Sequence, residues 1–215
     1  RGPRTQSDRF LYKKYMQEKL VNYCNLCVFS DPVIEFIFEK NTIKGFITHS
    51  GKKIKTSKLI LTTGTFLNGL IHVGEKQTPA GRYNEKPTIG LSEQLKKHYF
   101  KIGRLKTGTP PRLDSRTINF KNLEEQFADD DPYFFSFLTT KNINKQITCR
   151  MTYTNDAVHK IISKNIKRSA MYSGTIQGVG PRYCPSIEDK VVKFADKQRH
   201  QIFLEPEGLN DHTIY

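Results

Sequence analysis

A cysteine approached by glycines is the feature of this sequence with the clearest chemical potential. Three glycines between residues 174 and 180 lead to Arg182 and Cys184, and the following Pro185 suits the first position of a helix. A neighbouring cation and a helix N-terminus both lower the pKa of a thiol, since both favour the thiolate. The same glycine-rich backbone also suits a phosphate group. These residues indicate a reactive thiol at Cys184, with an inert, packed thiol as the alternative.

A second candidate site is the run from 103 to 112, which holds two glycines, two threonines and three cations. Its backbone N–H groups and the cations Arg104, Lys106 and Arg112 can form a cradle for an anion. The spacing GxxxxGK[ST] is missing, so the run is not a Walker A loop. A solvated turn held by the prolines at 110 and 111 is the alternative.

The four cysteines do not predict a metal site. Cys24 and Cys27 form a CxxC pair, but no second pair completes the set of ligands that structural zinc needs. The pair leads into the apolar residues Val28 and Phe29. We interpret both as buried free thiols of a protein from a reducing cytosol.

The formal net charge of +14 favours an anionic partner, because each Lys or Arg that meets a phosphate releases a counterion. A compositional preference for Lys, Asn and Ile is the alternative explanation. A length of 215 residues and a hydrophobic share of 36% allow one large domain or two small ones with a modest core. No apolar run approaches the roughly 20 residues of a membrane span, and no signal peptide is recognisable. We expect no membrane contact.

The elements that must position these sites read as alternating helices and strands. The predicted elements are a helix over 8–22 capped by Asp8, a strand at 27–29, a hairpin of 33–38 and 43–49, a buried strand at 59–65, a helix over 92–99 capped by Ser92, strands at 134–137 and 148–153, and a helix from 155 or 156 to 166. A buried strand ending in small residues, here Thr63-Gly64-Thr65, suits a doubly wound sheet with a ligand beyond the strand end. A plain turn after a strand is the alternative.

Five runs of the sequence resemble one family. They are Leu61 to Gly69 (LTTGTFLNG), Gly103 to Arg112 (GRLKTGTPPR), Met171 to Gly174 (MYSG), Gly180 to Phe194 (GPRYCPSIEDKVVKF) and His200 to Gly208 (HQIFLEPEG). They are similar to segments of the MnmG (GidA) family of tRNA uridine 5-carboxymethylaminomethyl modification enzymes, in the family's order.

The resemblance implies a fold and a domain order. The fold class is α/β: part of a doubly wound, glutathione-reductase-like FAD-binding domain with an inserted α+β region. We expect a partial FAD-binding domain over 1–67, the inserted region over 68–172, and a dinucleotide segment with return to the FAD-binding domain over 173–215. The family's GxGxxG is absent from the sequence. We therefore expect an internal fragment that is inactive and does not retain FAD alone.

The resemblance also implies an activity. Family members use FAD and NADH to modify the wobble uridine, position 34, of tRNA, with methylenetetrahydrofolate as the one-carbon donor. They act with a GTPase partner of the MnmE family, and we expect a homodimer of the full-length protein. The expected location is the bacterial cytoplasm, or the mitochondrial matrix of a eukaryote.

The resemblance assigns roles to particular residues. FAD contacts fall on Val33 and on Thr88, where some members have Ser and the hydroxyl is retained. Cys184 matches a cysteine important for activity. The nicotinamide-dinucleotide segment comprises Gly180, Pro181, Arg182, Tyr183, Cys184, Pro185, Ser186, Ile187, Glu188, Asp189, Lys190, Val191, Val192, Lys193 and Phe194.

Several chemical roles stay open within that assignment. Cys184 can add to carbon 6 of the uridine and so make carbon 5 nucleophilic, or act as an acid or base; delivery of the one-carbon unit by the flavin would leave it a supporting role. Glu188 and Asp189 can meet a ribose hydroxyl, although we favour their role as charges at a helix N-terminus. The candidates for phosphate contacts, to tRNA or to a dinucleotide, are Arg104, Lys106, Arg112 and Arg182.

Two other functions compete with this one. A different flavin-dependent oxidoreductase with a small-molecule substrate would suit the order of strands but not the charge. A non-enzymatic RNA-binding module is supported by the charge alone, because many of the 14 Phe and 10 Tyr are predicted on core faces.

Overall fold

The computed structural model describes residues 4–176, 178 and 185–215, which form a mixed α/β structure. The α-helices are α1 (Arg9–Val21), α2 (Leu91–Lys97), α3 (Asp156–Asn165) and α4 (Ile187–Lys193). Short 3-10 turns cover Ser115–Thr117 and Ile166–Arg168. No helix within the described ranges has the length and apolar character that a membrane span requires.

Ten short strands form four small sheets. They are β1 (Val33–Glu39), β2 (Thr42–Thr48), β3 (Lys53–Lys55), β4 (Leu70–Val73), β5 (Lys76–Pro79), β6 (Leu113–Asp114), β7 (Glu124–Gln126), β8 (Cys149–Tyr153), β9 (Gln201–Leu204) and β10 (Thr213–Ile214). The sheet orders are β1-β2-β3, β4-β5, β10-β6 and β7-β8-β9, and every pair of strands is antiparallel.

The chain divides into two compact units, each described here by itself. The first unit comprises Arg1–Val28, Gly108–Ser163 and Ser186–Tyr215. The second unit comprises Phe29–Thr107 and Lys164–Pro185. The boundaries proposed from the sequence, after residues 67 and 172, stay a prediction.

The hairpin of β1 and β2 confirms the prediction for 33–49. Lys40 and Asn41 form its two-residue loop with φ values of 45° and 64°. Positive φ at both positions is what the favoured hairpin turn requires, because its twist then matches that of the strands.

The core of the second unit lies between this sheet and α2. Phe36, Leu91 and Leu95 are its buried centre, and Phe46 packs against them. The side chain of Gln94 ties helix to strand: it accepts a hydrogen bond from the Phe36 N–H at 2.8 Å and donates one to the carbonyl oxygen of Ile34 at 3.0 Å. An otherwise unpaired stretch of β1 backbone is thereby satisfied.

The first unit is built around the sheet β7-β8-β9, whose Met151 and Leu204 are buried. Thr154 extends this pairing: its N–H donates to the His200 carbonyl at 2.9 Å, and its hydroxyl accepts from the His200 N–H at 2.8 Å. Strand β8 and helix α3 confirm the predictions for 148–153 and 155–166.

Helix α1 confirms the prediction for 8–22. The Asp8 carboxylate accepts from the Leu11 N–H at 2.7 Å and thus caps the helix, and it also accepts from the Leu209 N–H at 2.6 Å. The apolar stripe of α1 is not buried within this chain: Phe10 and Val21 are each 73% exposed.

Three predicted strands are wrong. Residues 27–29, 59–65 and 134–137 form no strand, and Ile60 and Phe137 are among the most exposed apolar side chains. A strand needs a neighbour for its backbone groups, and none of the described strands pairs with these segments. The apolar residues of these segments predicted buried strands, but within this chain no strand pairs with them among the residues described.

Three local predictions also need correction. Cys24 and Cys27 are free but exposed, because their segment lies outside the core. Helix α2 is capped at Gly90, while Ser92 lies inside the first turn and is buried. Pro185 does not take the first helical position, since Ser186 is the N-cap of α4.

Candidate functional site

Both predicted FAD contacts lie in the second unit. Val33 opens β1 opposite Thr48 and is half-buried. Thr88 is fixed through its backbone: its N–H donates to the Phe66 carbonyl at 2.8 Å, and its carbonyl accepts from the Asn68 N–H at 2.9 Å. Within the described part of the chain the Thr88 hydroxyl has no hydrogen-bond partner, so it is available to a ligand.

Two glycines flank the segment that pairs with Thr88, and their surroundings differ. Gly64 has a φ of 54°, and a Cβ there would meet no atom within 4 Å. At Gly69 a Cβ would meet the carbonyl oxygens of Thr65 and Ala80, so this glycine is needed for packing. An uncovered backbone at Gly64 and the Thr88 hydroxyl fit the flavin dinucleotide that the resemblance implies.

Asn68 connects these segments. Its side-chain amide donates to the Ser92 hydroxyl at 2.7 Å and to the Glu93 carboxylate at 2.8 Å. Its own φ is 45°, a conformation that Asn tolerates better than most residues. Asn68 therefore fixes the Thr88 segment to the first turn of α2.

Two of the candidate phosphate contacts also make internal bonds in the second unit. The Arg104 guanidinium donates to the Asn68 carbonyl at 3.1 Å, and the Lys106 ammonium donates to the Met171 carbonyl at 3.4 Å. These bonds fix the 103–107 segment against two other family-like runs without neutralising either cation, because a carbonyl carries only a partial charge.

Arg112 belongs to the first unit and is more fully engaged. Its guanidinium donates to Glu207 at 2.8 Å and to the Pro110 carbonyl at 3.2 Å, and it lies 4.3 Å from the centre of the Tyr215 ring. The other oxygen of Glu207 accepts from Arg9 at 2.8 Å. An anion at Arg112 would compete with this carboxylate.

The charge state of Glu207 follows from its surroundings. Burial opposes ionisation, but the hydrogen bonds from Arg112 and Arg9 outweigh it, so the pKa of Glu207 lies below its ordinary value. Glu207 is therefore the acidic centre of a three-residue ion cluster with Arg9 and Arg112.

Most of the predicted dinucleotide segment before α4 lies outside the described residues. This applies to Gly180, Pro181, Arg182, Tyr183 and Cys184, whose roles stay predictions. Pro185 and Ser186 are described and lead directly into α4.

Helix α4 begins with a capping box. The Ser186 hydroxyl accepts from the Asp189 N–H at 3.1 Å, and the Asp189 carboxylate accepts from the Ser186 N–H at 3.2 Å. Asp189 also pairs with Lys193 at 2.9 Å. These contacts support the favoured interpretation of Asp189 as a helix-terminal charge.

The remainder of α4 is partly buried. Val191 is buried in the first unit, Val192 and Phe194 are about half-exposed, and the Lys190 ammonium reaches the Gln201 carbonyl at 3.5 Å. Val191 packs in the first unit, and its assignment to the dinucleotide segment stays a prediction.

A separate groove of about 690 Å³ lies in the first unit, and none of the described residues predicted to bind cofactor lines it. Cys149 is one lining residue. Its thiol donates to Gln6 at 3.0 Å, and burial together with the charge of Glu205 raises its pKa. No group of three potential metal ligands occurs among the residues described.

Sequence reasoning missed Asn68 and Glu207. The φ of Asn68 and the carbonyl that it offers to Arg104 are visible only in the fold. Glu207 lies 95 residues from Arg112 and 198 from Arg9. Spacing of this length carries no pattern from which a pairing could be predicted.

Comparison with known proteins gives consistent matches along the chain. The family model described as glucose inhibited division protein A matches residues 1–215. A protein of Thermodesulfovibrio yellowstonii, named tRNA uridine 5-carboxymethylaminomethyl modification enzyme MnmG, is 53% identical over 212 residues, which are 99% of this chain and 34% of that protein.

Solved structures agree with this match. Two structures of Aquifex aeolicus GidA, in crystal forms I and II, give TM-scores of 0.88 and 0.86 at 47% and 44% identity. Each covers 98% of this chain, and the chain covers 36% and 34% of them. The predicted α/β fold is thereby confirmed, and the chain spans about a third of its relatives' length. Matched by the family model from end to end and by two of its structures, the chain belongs to the glucose inhibited division protein A (GidA, or MnmG) family.

Proposed function

We propose that this chain is part of an enzyme that modifies the wobble uridine of tRNA to a 5-carboxymethylaminomethyl-type uridine. The observation that carries the proposal is the identity of 53% over 99% of the chain to a protein with that name. The net charge of +14 is in keeping with a tRNA substrate. We place the enzyme in the cytoplasm, or in the mitochondrial matrix of a eukaryote, without membrane contact.

The proposed cofactors are FAD and NADH, with methylenetetrahydrofolate as the one-carbon donor. When bound, the flavin supplies redox chemistry and NADH supplies the reducing electrons. The hydroxyl of Thr88 and the open backbone at Gly64 support a contact with FAD, and Val33 is the second proposed contact. The GTPase partner and the homodimer of the whole protein are proposed from the family resemblance.

Cys184 is the proposed catalytic residue, with the segment Gly180–Phe194 as the nicotinamide-dinucleotide contact. Its support is chemical: an activated thiolate can add to carbon 6 of a pyrimidine and so make carbon 5 nucleophilic. Asp189 would act indirectly, since its carboxylate caps α4.

The test uses the whole protein that contains this chain, together with its GTPase partner, GTP, FAD, NADH, methylenetetrahydrofolate and an unmodified tRNA transcript. Mass spectrometry of the digested tRNA should show the modified nucleoside at position 34. Cys184→Ser should lower the rate by at least about a hundredfold, the range expected for an acid, base or nucleophile.

Cys24→Ser is the matched control, because Cys24 is an exposed thiol of the same chain. It should modify tRNA at the wild-type rate. A wild-type protein that oxidises NADH through a bound flavin but leaves tRNA unmodified would favour the small-molecule oxidoreductase instead. Unchanged modification by Cys184→Ser would remove the catalytic role of Cys184 and leave the proposed function standing.

A further inference from the structure

The positive charge of the chain is concentrated in one of its two units. The second unit has 18 Lys and Arg against 6 Asp and Glu, a formal net charge of +12. The first unit has 17 against 15, a net charge of +2. A uniform preference for Lys in the composition would not produce this asymmetry. The two units have nearly equal numbers of Lys and Arg, and the second unit has far fewer Asp and Glu.

Within the second unit the cations cluster on one hairpin. Between Glu39 and Glu75 the sequence has six lysines and no acidic residue. Four of the six follow one another around β3, and all four side chains are exposed: Lys52, Lys53, Lys55 and Lys58. We call these four residues the lysine edge, because β3 is the outer strand of the sheet β1-β2-β3.

The register of the sheet separates the lysine edge from the core. Phe36 lies opposite Phe46, and Phe46 lies opposite Ile54, so these three side chains share the face that packs against α2. Successive residues of a strand point to opposite faces. Lys53 and Lys55 therefore share the other face, with their Cα atoms about 6.8 Å apart, two strand rises of about 3.4 Å.

The neighbour of Lys55 on β2 is a glycine. Lys55 pairs with Gly45, where a Cβ would meet the carbonyl oxygen of Ile54, so only glycine fits this position of the sheet. Gly45 itself is buried, whereas Lys53 and Lys55 are exposed, so a ligand reaches the two lysines from the outer side of β3.

The lysine edge is not neutralised by carboxylates of the described chain. None of its four ammonium groups has an ion pair within 4.0 Å among the described residues, whereas Lys44 on β2 pairs with Glu39 at 3.7 Å. Asp31, whose carboxylate senses the charge of Lys52, accepts its hydrogen bonds from the Ser50 hydroxyl at 2.5 Å and the Ser50 N–H at 3.2 Å. Lys52 thus has a partial counter-charge in Asp31, and Glu35 lies two strands from Lys53 on the same face of the sheet. Lys53, Lys55 and Lys58 are exposed, and none of the described carboxylates lies within ion-pair distance of them.

We propose that the lysine edge is a docking surface for the phosphate backbone of the substrate tRNA. This inference rests on the proposed function and adds to it the surface that receives the RNA. Exposed cations without ion pairs are the groups that neutralise phosphates and release counterions. An extended strand presenting them at regular intervals suits a repeating polyanion, and contacts to phosphate position the RNA without reading its sequence.

RNA is a better occupant than an anionic membrane on these observations. Membrane-binding surfaces combine cations with apolar side chains that enter the headgroup region. Within 52–58 the only large apolar side chain is Ile54, which faces the core. The exposed Ile60 lies beyond the last of the four lysines, so the four lysines themselves are not interleaved with exposed apolar side chains. Lysines on an edge strand also discourage pairing between sheets, a role that predicts aggregation of the variants rather than loss of RNA affinity.

The experiment measures the affinity of the whole protein for an unmodified tRNA transcript by fluorescence anisotropy over a range of salt concentrations. Lys53→Gln/Lys55→Gln should weaken binding on the order of tenfold at low salt, because two phosphate contacts are lost. The slope of log K against log salt should fall in magnitude by about 1.4 to 1.8, which is about 0.7 to 0.9 for each contact.

Two control variants separate this effect from general changes. Lys13→Gln/Lys14→Gln removes the same charge from exposed positions on α1 in the first unit, and should change affinity less than about twofold. Lys53→Arg/Lys55→Arg keeps the charge and should bind as the wild type does. Circular dichroism and size-exclusion chromatography should show all variants folded and unaggregated.

The outcomes distinguish the two proposals. A wild type that neither binds nor modifies tRNA overturns the proposed function and this inference with it. A wild type that binds and modifies tRNA, with unchanged affinity and salt slope in Lys53→Gln/Lys55→Gln, overturns the inference alone. Loss of affinity for phosphatidylserine vesicles with tRNA binding unchanged would assign the lysine edge to a membrane and also overturn it.

Discussion

At the scale of single residues, Glu207 shows how one side chain joins distant parts of the sequence. Its two oxygens accept from Arg9 and Arg112, and its backbone carbonyl accepts from the Arg9 N–H at 3.0 Å. The carboxylate is only 11% exposed, whereas Arg9 is 73% and Arg112 43% exposed. We therefore expect loss of the nearly buried carboxylate to destabilise this region more than loss of either exposed arginine.

Replacing Glu207 by Gln should weaken this region. The amide keeps the shape but loses both charge-assisted bonds, and we expect a local loss of about 1–2 kcal/mol after allowing for the exposed arginines. Hydrogen-exchange mass spectrometry of the whole protein should show exchange roughly 5 to 30 times faster at the amides of Arg9 and residues 205–215.

Glu39→Gln is the matched control, because Glu39 is 69% exposed and its pair with Lys44 spans 3.7 Å. It should alter exchange little. The pKa of Glu207 is lowered from 4.5, so the folded state binds its proton less readily than the unfolded state. The advantage of the wild type over Glu207→Gln should be full above pH 4.5 and shrink as the pH falls. An advantage independent of pH would contradict the charge argument.

At the scale of elements, α4 has only seven residues and depends on its ends. A helix this short has few internal hydrogen bonds to offset the cost of starting it. The capping box of Ser186 and Asp189 therefore contributes much of the stability of its first turn. Lys193, one turn later, pairs with Asp189.

Ser186→Ala should therefore destabilise α4 by about 1 kcal/mol, the usual cost of a lost N-cap. Exchange of the amides from Ile187 to Lys190 should become roughly five times faster. Ser163→Ala is the control, since Ser163 is exposed inside α3, where Ala is the better helix former. Equal effects of the two substitutions would show that the cap does not hold α4.

The sequence predicted those elements whose partners or caps are local. The hairpin of β1 and β2 has a two-residue turn, and α1 and α3 have capping residues, so their existence followed from adjacent residues. The strands expected at 59–65 and 134–137 depended on distant neighbours that hydrophobicity cannot identify. The ion pair of Arg112 could not be predicted for the same reason, because its partner Glu207 is 95 residues away in the sequence.

At the scale of the whole molecule, the first unit is assembled from three separate stretches and the second from two. The two units differ in net charge, but these boundaries could not be located from the sequence, because each unit is closed by contacts between remote segments. The family could be predicted nonetheless, since its motif runs are contiguous. The predicted catalytic Cys184 stays a prediction.

The 215-residue chain alone should not retain FAD. Its sequence has no GxGxxG to hold the pyrophosphate, and it spans 34% of the length of its MnmG relative. The absorption spectrum of the purified chain after dialysis with excess FAD should lack the flavin bands, whereas the whole protein treated alike should show them. A yellow chain with a bound-flavin spectrum would contradict this expectation.

The separation of 198 residues between Arg9 and Glu207 also has a consequence in time. Ribosomes add roughly 5–20 residues per second, so Arg9 is added roughly 10–40 seconds before Glu207. Over that interval Arg9 lacks its carboxylate and the Asp8 cap lacks the Leu209 N–H, while the 29–107 stretch of the second unit is already complete. The first unit can therefore fix helix α1 only when nearly the whole chain has been made.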